Sequence, residues 1–293
     1  SDRKRGDRDH KNSIVDGASD EIGREKPRPL QVGPGIVGVV EREGPIEQPR
    51  RTGCHDERDH AGRVGRQAEK RERRLEYAQV GGILYPAGAH GVAIQSAVFT
   101  RHGTERVIRF AFELARRRSK KHFVTSVTKS NAQGFSMAFW DAVFVEVARE
   151  YPDIRTESLL DDAACMDLVR RPETFDVIVA SNLFGDILTD LSAAITGSLG
   201  LAPSANLNPS RAFPSMFEPV HGSAPDIVGR GIANPMAQML SGAMMMEFLG
   251  EKEAASALEK AVLEVLAARR DVTPDLGGSG TTASVTASVL SRL

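Results

Sequence analysis

Downstream of residue 90 the apolar positions switch between two periods, one suited to strands and one to helices. The run VAIQSAVFT (residues 92–100) predicts a strand. In ERVIRFAFELARRR, Val107, Phe110, Ala111 and Leu114 fall on one helical stripe. HFVTSVT (122–128) predicts a strand ending at Lys129, and residues 135–149 predict a helix with Phe135, Phe139, Ala142 and Val143 at helical spacing. FDVIVA (175–180) predicts a buried strand, followed by a helix over 184–194. Residues 251–268 form an amphipathic pattern with Leu258, Ala261, Val262, Val265 and Leu266 inward. Thr281 or Thr282 is placed to cap a last helix carrying Val285, Val289 and Leu293. Alternation of this kind predicts an α/β fold, and no internal repeat is visible.

The first 76 residues do not share this pattern. They hold 18 Lys and Arg, 16 Asp and Glu, only 16 apolar residues and no aromatic one, whereas all 16 aromatics lie downstream. Such a segment buries too little apolar surface to offset its ordering entropy. Its one apolar island, QVGPGIVGVV, suits a short strand with no obvious partner. Residues 1–76 are therefore left unassigned, as disordered or out-of-frame sequence.

Composition narrows the function classes. The 293 residues carry a formal net charge of −1, with 41% hydrophobic residues. No global field draws the chain to nucleic acid or an acidic membrane. Two cysteines, Cys54 and Cys165, exclude a disulfide scaffold and a cysteine-based zinc cluster. No apolar run approaches the roughly 18 residues needed to span a bilayer. The charged N-terminus shows no secretory signal, so a soluble cytoplasmic protein is the expectation.

The most informative stretch is FDVIVASNLFGDILTDL (175–191). Asp186 and Asp190 stand four apart on the helix after the buried strand, so their carboxylates share a face. Two like charges there call for a cation, and an all-oxygen site suits Mg²⁺ or Mn²⁺. Alone, such a pair is more often a solvated acidic helix face. Lys129 ends a strand, where a lysine is usually a surface charge; desolvated near other cations, it could serve as a base. FEPVHGSAPDIVGRGIANP (217–235) has no amphipathic period. Gly222 and Ser223 permit close approach of a ligand to the backbone, and Asp226 suits a ribose diol. An irregular structural loop is the plainer reading of that stretch.

These pieces occur together, in order, in one family. From Tyr77 to Leu293, 217 of 293 residues, the chain resembles the metal-dependent β-decarboxylating dehydrogenases of isocitrate and isopropylmalate, and within them the tartrate and D-malate branch. SAVFTRHGTERVIRFAFELA, SVTKSN, SNLFGDILTDL and APSANLNPSRAFPSMFEPVHGSAPDI carry the likeness. The resemblance implies an isopropylmalate-dehydrogenase-like doubly wound fold, with residues 77–200 forming the substrate, metal and dimerisation domain and 201–293 the remaining half of the NAD-binding domain. It implies that Asp186 and Asp190 bind the metal in one subunit and that Asp162, in LLDDAACMDLV, completes the cage from the partner and also touches substrate. The tail DLVRRPETFDV selects Asp162 over Asp161. Lys129 and Tyr77 match the catalytic lysine and tyrosine, Lys129 also crossing the dimer, and Asn131 matches a substrate neighbour. Glu218, His221, Gly222, Ser223, Ala224, Pro225, Asp226 and Asn234 match the adenosine-side cofactor loop, with His221 beside the adenine. An acid at 226 repels a 2′-phosphate, so NAD is the expected cofactor. The implied reaction is NAD-dependent oxidative decarboxylation of D-malate or tartrate in a homodimer with shared sites, with no role for nucleic acid or membrane. The alternatives are 3-isopropylmalate as substrate, and a truncated, inactive relative.

The chain also departs from that family. VGPGIVG only echoes the family's first loop, no L-R-P-x-R run is present, and Lys70 stands where an arginine is expected seven residues before Tyr77. The implied fold is thus incomplete, lacking the N-terminal strands of the cofactor domain.

Overall fold

The computed structural model describes residues 90–293, together with the backbone of residues 35–37 and 82–85. Tyr77, Lys70 and the unassigned 1–76 segment, apart from 35–37, lie outside the described residues.

The central sheet is parallel. Its strands are β1 (Gly35–Val37), β4 (Phe123–Thr128), β5 (Arg155–Leu160) and β6 (Val177–Val179), in the order β1-β6-β4-β5. A short strand in the QVGPGIVGVV island thus has a partner, since Gly35–Val37 pairs in parallel with Val177–Val179. β4 is buried from Val124 to Thr128 and β6 throughout, as central parallel strands covered on both faces must be. β5, RTESLL, is a more exposed edge strand; its polar residues hide it from a search for apolar runs. Two antiparallel pairs complete the strands: β2 (Gly82–Tyr85) with β3 (Val92–Gln95), and β7 (Pro203–Asn206) with β8 (Met216–Pro219).

Helix α1 (Arg101–Arg118) starts at Thr100, whose side chain accepts from the Gly103 N–H at 3.1 Å. This ends the strand predicted over 92–100 at Gln95: Thr100 serves as a helix cap, and residues 96–100 are not in a ladder. α2 (Ser136–Ala148) buries Met137, Trp140, Val143, Phe144 and Val147. Of the predicted stripe, Val143 is buried and Phe139 packs against the core, whereas Phe135 is 97% exposed and Ala142 is exposed. A helix with apolar residues on most of its circumference leaves the phase ambiguous, and here Trp140 decides it by donating to Ser126 Oγ of β4 at 2.9 Å within the core. α3 (Asp161–Arg170) follows β5, and α4 (Asn182–Thr196) follows β6. α1 packs with α2, and α3 with α4.

A second core lies C-terminal, around Leu201, Met236, Val262, Val265, Val272, Val285 and Val289. It is built from α5 (Met236–Leu249), α6 (Lys252–Ala268) and α7 (Thr282–Leu290). α5 has apolar residues on every side, so no amphipathic period announced it. Thr281 caps α7 in a reciprocal capping box with Ser284. Leu293, expected on this helix, lies beyond its end and is exposed. Among the described residues no helix is long and apolar enough to cross a membrane.

Candidate functional site

The site follows from the order in which the chain visits the sheet. From β4 the chain passes through α2 to β5 on one side, then through α3 back across to β6 on the other. Right-handed crossovers in opposite directions put α2 and α3 on opposite faces. The loops leaving β4 and β5 therefore part at their C-terminal ends and open a crevice, where open α/β sheets bind ligands. Thr128 and Leu160 are register partners at those ends. Lys129 leaves one strand and Asp161 and Asp162 leave the other.

The Lys129 ammonium donates to the Asp162 carboxylate. This contact holds the Asp162 carboxyl below the usual carboxylate range. The Asp162 side chain is 68% exposed, so the pair faces the crevice, not the core. Its neighbour behaves oppositely. Asp161 Oδ1 is buried with no partner among the described residues, and burial pushes its carboxyl up, against the pull of Lys129 and with the push of Asp162. One outward and one inward acid at consecutive positions distinguish the member of this pair that can reach a ligand. Sequence reasoning passed over the inward acid beyond setting it aside. Cys165 lies within the same field, its thiol raised by burial and then by the two aspartates.

β6 runs through Ala180 and Ser181 into α4, where Asp186 and Asp190 are both exposed. Neither carboxylate has a hydrogen-bond or ion-pair partner among the described residues. Asn131 is exposed in the turn after Lys129. Like Asp162, Asp186 and Asp190 offer only carboxylate oxygens, a donor type that suits a hard divalent ion. Among the described residues of a single chain, no three His, Cys, Asp or Glu converge as a metal cage.

The loop after β8 is shaped by its backbone. Glu218 is exposed on β8 and accepts from Asn206 at 3.4 Å. His221 Nδ1 lies 2.9 Å from the Gly222 carbonyl. Gly222 has open space where a Cβ would be, so a ligand can approach its backbone. Ser223, Ala224, Pro225 and Asp226 are exposed, Ala224 with a left-handed φ of 41° before a 3₁₀ turn at Pro225–Ile227. Asn234 differs from the rest: it is buried, with its side chain engaged by Asp275 and by the Met236 N–H. Sequence reasoning did not find Asp275, for which PDLGG gave only a turn signal.

Comparison with known proteins decides the family. The family model described as isocitrate/isopropylmalate dehydrogenase matches residues 67–290. The chain belongs to the isocitrate/isopropylmalate dehydrogenase family. The match begins ten residues upstream of Tyr77. This dehydrogenase-family chain is 54% identical over 218 residues to the probable tartrate dehydrogenase/decarboxylase of Bacillus subtilis (strain 168), covering 74% of this chain and 60% of that protein. It is 51% identical over 215 residues to the decarboxylating D-malate dehydrogenase of Escherichia coli (strain K12), covering 72% and 59% respectively. Among solved structures, isocitrate dehydrogenase from Methylococcus capsulatus superposes with a TM-score of 0.68 at 42% identity, covering 72% of this chain and 62% of that one. The chain thus spans about 60% of the length of the curated relatives it matches.

Proposed function

We propose that this chain carries the NAD-dependent oxidative decarboxylation of a small 2-hydroxy dicarboxylic acid, D-malate or tartrate, with Mg²⁺ or Mn²⁺. The observation that carries the reading is the Lys129–Asp162 pair at the parting ends of β4 and β5, beside a strand that leads into the helix bearing Asp186 and Asp190. The names of the similar proteins support the choice of substrate. Asp162, Asp186 and Asp190 would hold the divalent ion. Bound there, the ion would supply Lewis-acid polarisation of the substrate's 2-oxygen, and the nicotinamide would supply the hydride acceptor. Lys129, acting as the neutral amine after its ammonium has given up a proton, takes the 2-hydroxyl proton as the C2 hydrogen leaves, Asn131 contacts the substrate, and Tyr77 returns a proton to C3 once CO₂ has gone. The loop from Glu218 to Asp226 takes the adenosine end, with Asp226 on the ribose diol.

The site is shared between two copies. On α3, Asp162, Met166 and Val169 fall at i, i+4 and i+7, one helical face; on α4, Leu183, Ile187 and Asp190 do the same. Met166 and Val169 are 56% and 61% exposed, and Leu183 and Ile187 44% and 45%. Apolar side chains on the same faces as the metal-site acids suit a seam closed by a second copy, so that Asp162 of one meets Asp186 and Asp190 of the other. NADH formation measured with D-malate, tartrate and 3-isopropylmalate, with and without Mn²⁺, tests the reading. Mn²⁺-dependent turnover fastest on D-malate or tartrate supports it. Preference for isopropylmalate overturns the substrate, and no turnover on any of the three leaves the inactive relative.

A further inference from the structure

We propose that Asp275 is a positioning residue: its carboxylate ties the start of α5 and the loop before it to the end of α4, the helix that carries Asp186 and Asp190. The proposal rests on reading that loop as the cofactor cradle. Oδ2 of Asp275 accepts from Asn234 Nδ2 at 3.0 Å and also from Ser198 Oγ. Ser198 stands immediately after Gly197, the C-cap of α4, and its Oγ in turn accepts from the Gly200 N–H at 2.9 Å. On the other side, Asn234 Oδ1 accepts from the Met236 N–H at 3.0 Å, at the first residue of α5. One oxygen therefore joins two segments that flank the site from different elements.

The surroundings are built for this contact. A Cβ at Gly200 would stand 2.7 Å from Asn234 Cβ and 2.9 Å from Asp275 Oδ2, so only glycine lets the three meet. The far side of the loop is fastened to the start of α7, where the Thr282 N–H donates to the Gly231 carbonyl at 2.8 Å and its hydroxyl to the Ala233 carbonyl at 2.6 Å. Burial raises the proton affinity of the Asp275 carboxyl, but Ser198, Thr273 and Asn234 together outweigh it and hold the group below the usual carboxylate range. The contact is charge-assisted, stronger than one between neutral groups. With one bond at each end of its amide, the Asn234 side chain is fixed in orientation within the fold. Asp275 touches no cofactor in this scheme; it fixes where the loop around Asn234 stands relative to the metal helix.

The test is amide hydrogen exchange on the full chain together with NADH fluorescence titration, for Asp275→Ala, Asp275→Asn and Gly200→Ala. Asp275→Ala and Gly200→Ala are expected to speed exchange over residues 198–202 and 231–238 while β4 and β6 keep wild-type protection. The NADH dissociation constant is expected to rise about three- to tenfold. Asp275→Asn keeps an acceptor oxygen and restores most of both. Unchanged exchange over 231–238 in Asp275→Ala overturns the proposal, as does a uniform rise across the chain that Asp275→Asn fails to rescue. If Asp275→Ala does not fold, Gly200→Ala gives the same readout, with Asp275→Asn as the variant expected near wild type. A wild-type chain that binds no NADH, yet loosens over 231–238 in Asp275→Ala, refutes the cofactor reading and keeps the tie. NADH binding with unchanged exchange in the variant does the reverse.

Discussion

Lys129 and Asp162 form an ion pair across the C-terminal ends of two adjacent parallel strands, thirty-three residues apart in sequence. The pair separates two roles for the lysine. Lys129→Arg keeps the charge and a partner for Asp162 but cannot give up a proton near neutral pH. The proposed base role requires turnover to fall by about 10²–10⁴-fold with folding intact. A variant retaining near-full activity would reduce Lys129 to a structural cation.

Met166 and Ile187 lie exposed on the faces of α3 and α4 that also carry Asp162 and Asp190. Replacing both with glutamate places charge on the proposed seam. Sedimentation velocity should then show monomer in place of dimer, with loss of tight Mn²⁺ binding. A double variant that sediments as the wild type does would remove the seam.

Gly278 is fixed by packing. A Cβ there would stand 2.0 Å from the Val272 carbonyl oxygen, a backbone atom that cannot swing away. Gly278→Ala is expected to cost about 3 kcal/mol or more. Gly134, where a Cβ would meet nothing within 4 Å, is the control and should change stability by under about 0.5 kcal/mol as alanine. Equal melting temperatures for the two variants would contradict this.

Three arginines of α1 reach across to acids of α2 and the turn after it: Arg101 to Glu146, Arg109 to Glu150 and Arg116 to Asp153. The Arg116 guanidinium holds Asp153 down at about 2, and Arg101 and Arg109 hold Glu146 and Glu150 below the usual range. Carboxylates depressed in the folded state stabilise it above their unfolded values and lose that contribution as pH falls through the folded ones. The stability gap between wild type and Arg116→Ala should therefore be widest near neutrality and close between about pH 4 and pH 2. These groups are exposed, so the gap should be small and shrink in high salt. Urea midpoints across that range check it; a gap independent of pH would contradict the assignment.

The fold was legible where burial is continuous or strictly periodic. β4, β6, α1, α6 and α7 announce themselves because one face, or both, must be apolar. β5 did not, being a polar edge strand, and α5 did not, being apolar all round. At the site, Lys129, Asp186 and Asp190 could be picked out from spacing, but their meaning came from likeness to a family. The convergence of Lys129 with Asp162 depends on the crossover from β4 to β5, which no local pattern encodes. Asp275 lies further still from sequence logic: its partners Ser198 and Asn234 are 77 and 41 residues away.

The most direct test of a site shared between two copies is a heterodimer of Asp162→Asn and Asp186→Asn chains, purified through two different tags and titrated with Mn²⁺ by calorimetry. In a shared site each variant homodimer is damaged at both positions, whereas the heterodimer rebuilds one intact set of three aspartates. One tight Mn²⁺ per heterodimer, and none in either homodimer, is the expected result. A heterodimer that binds no better than its parents would contradict it.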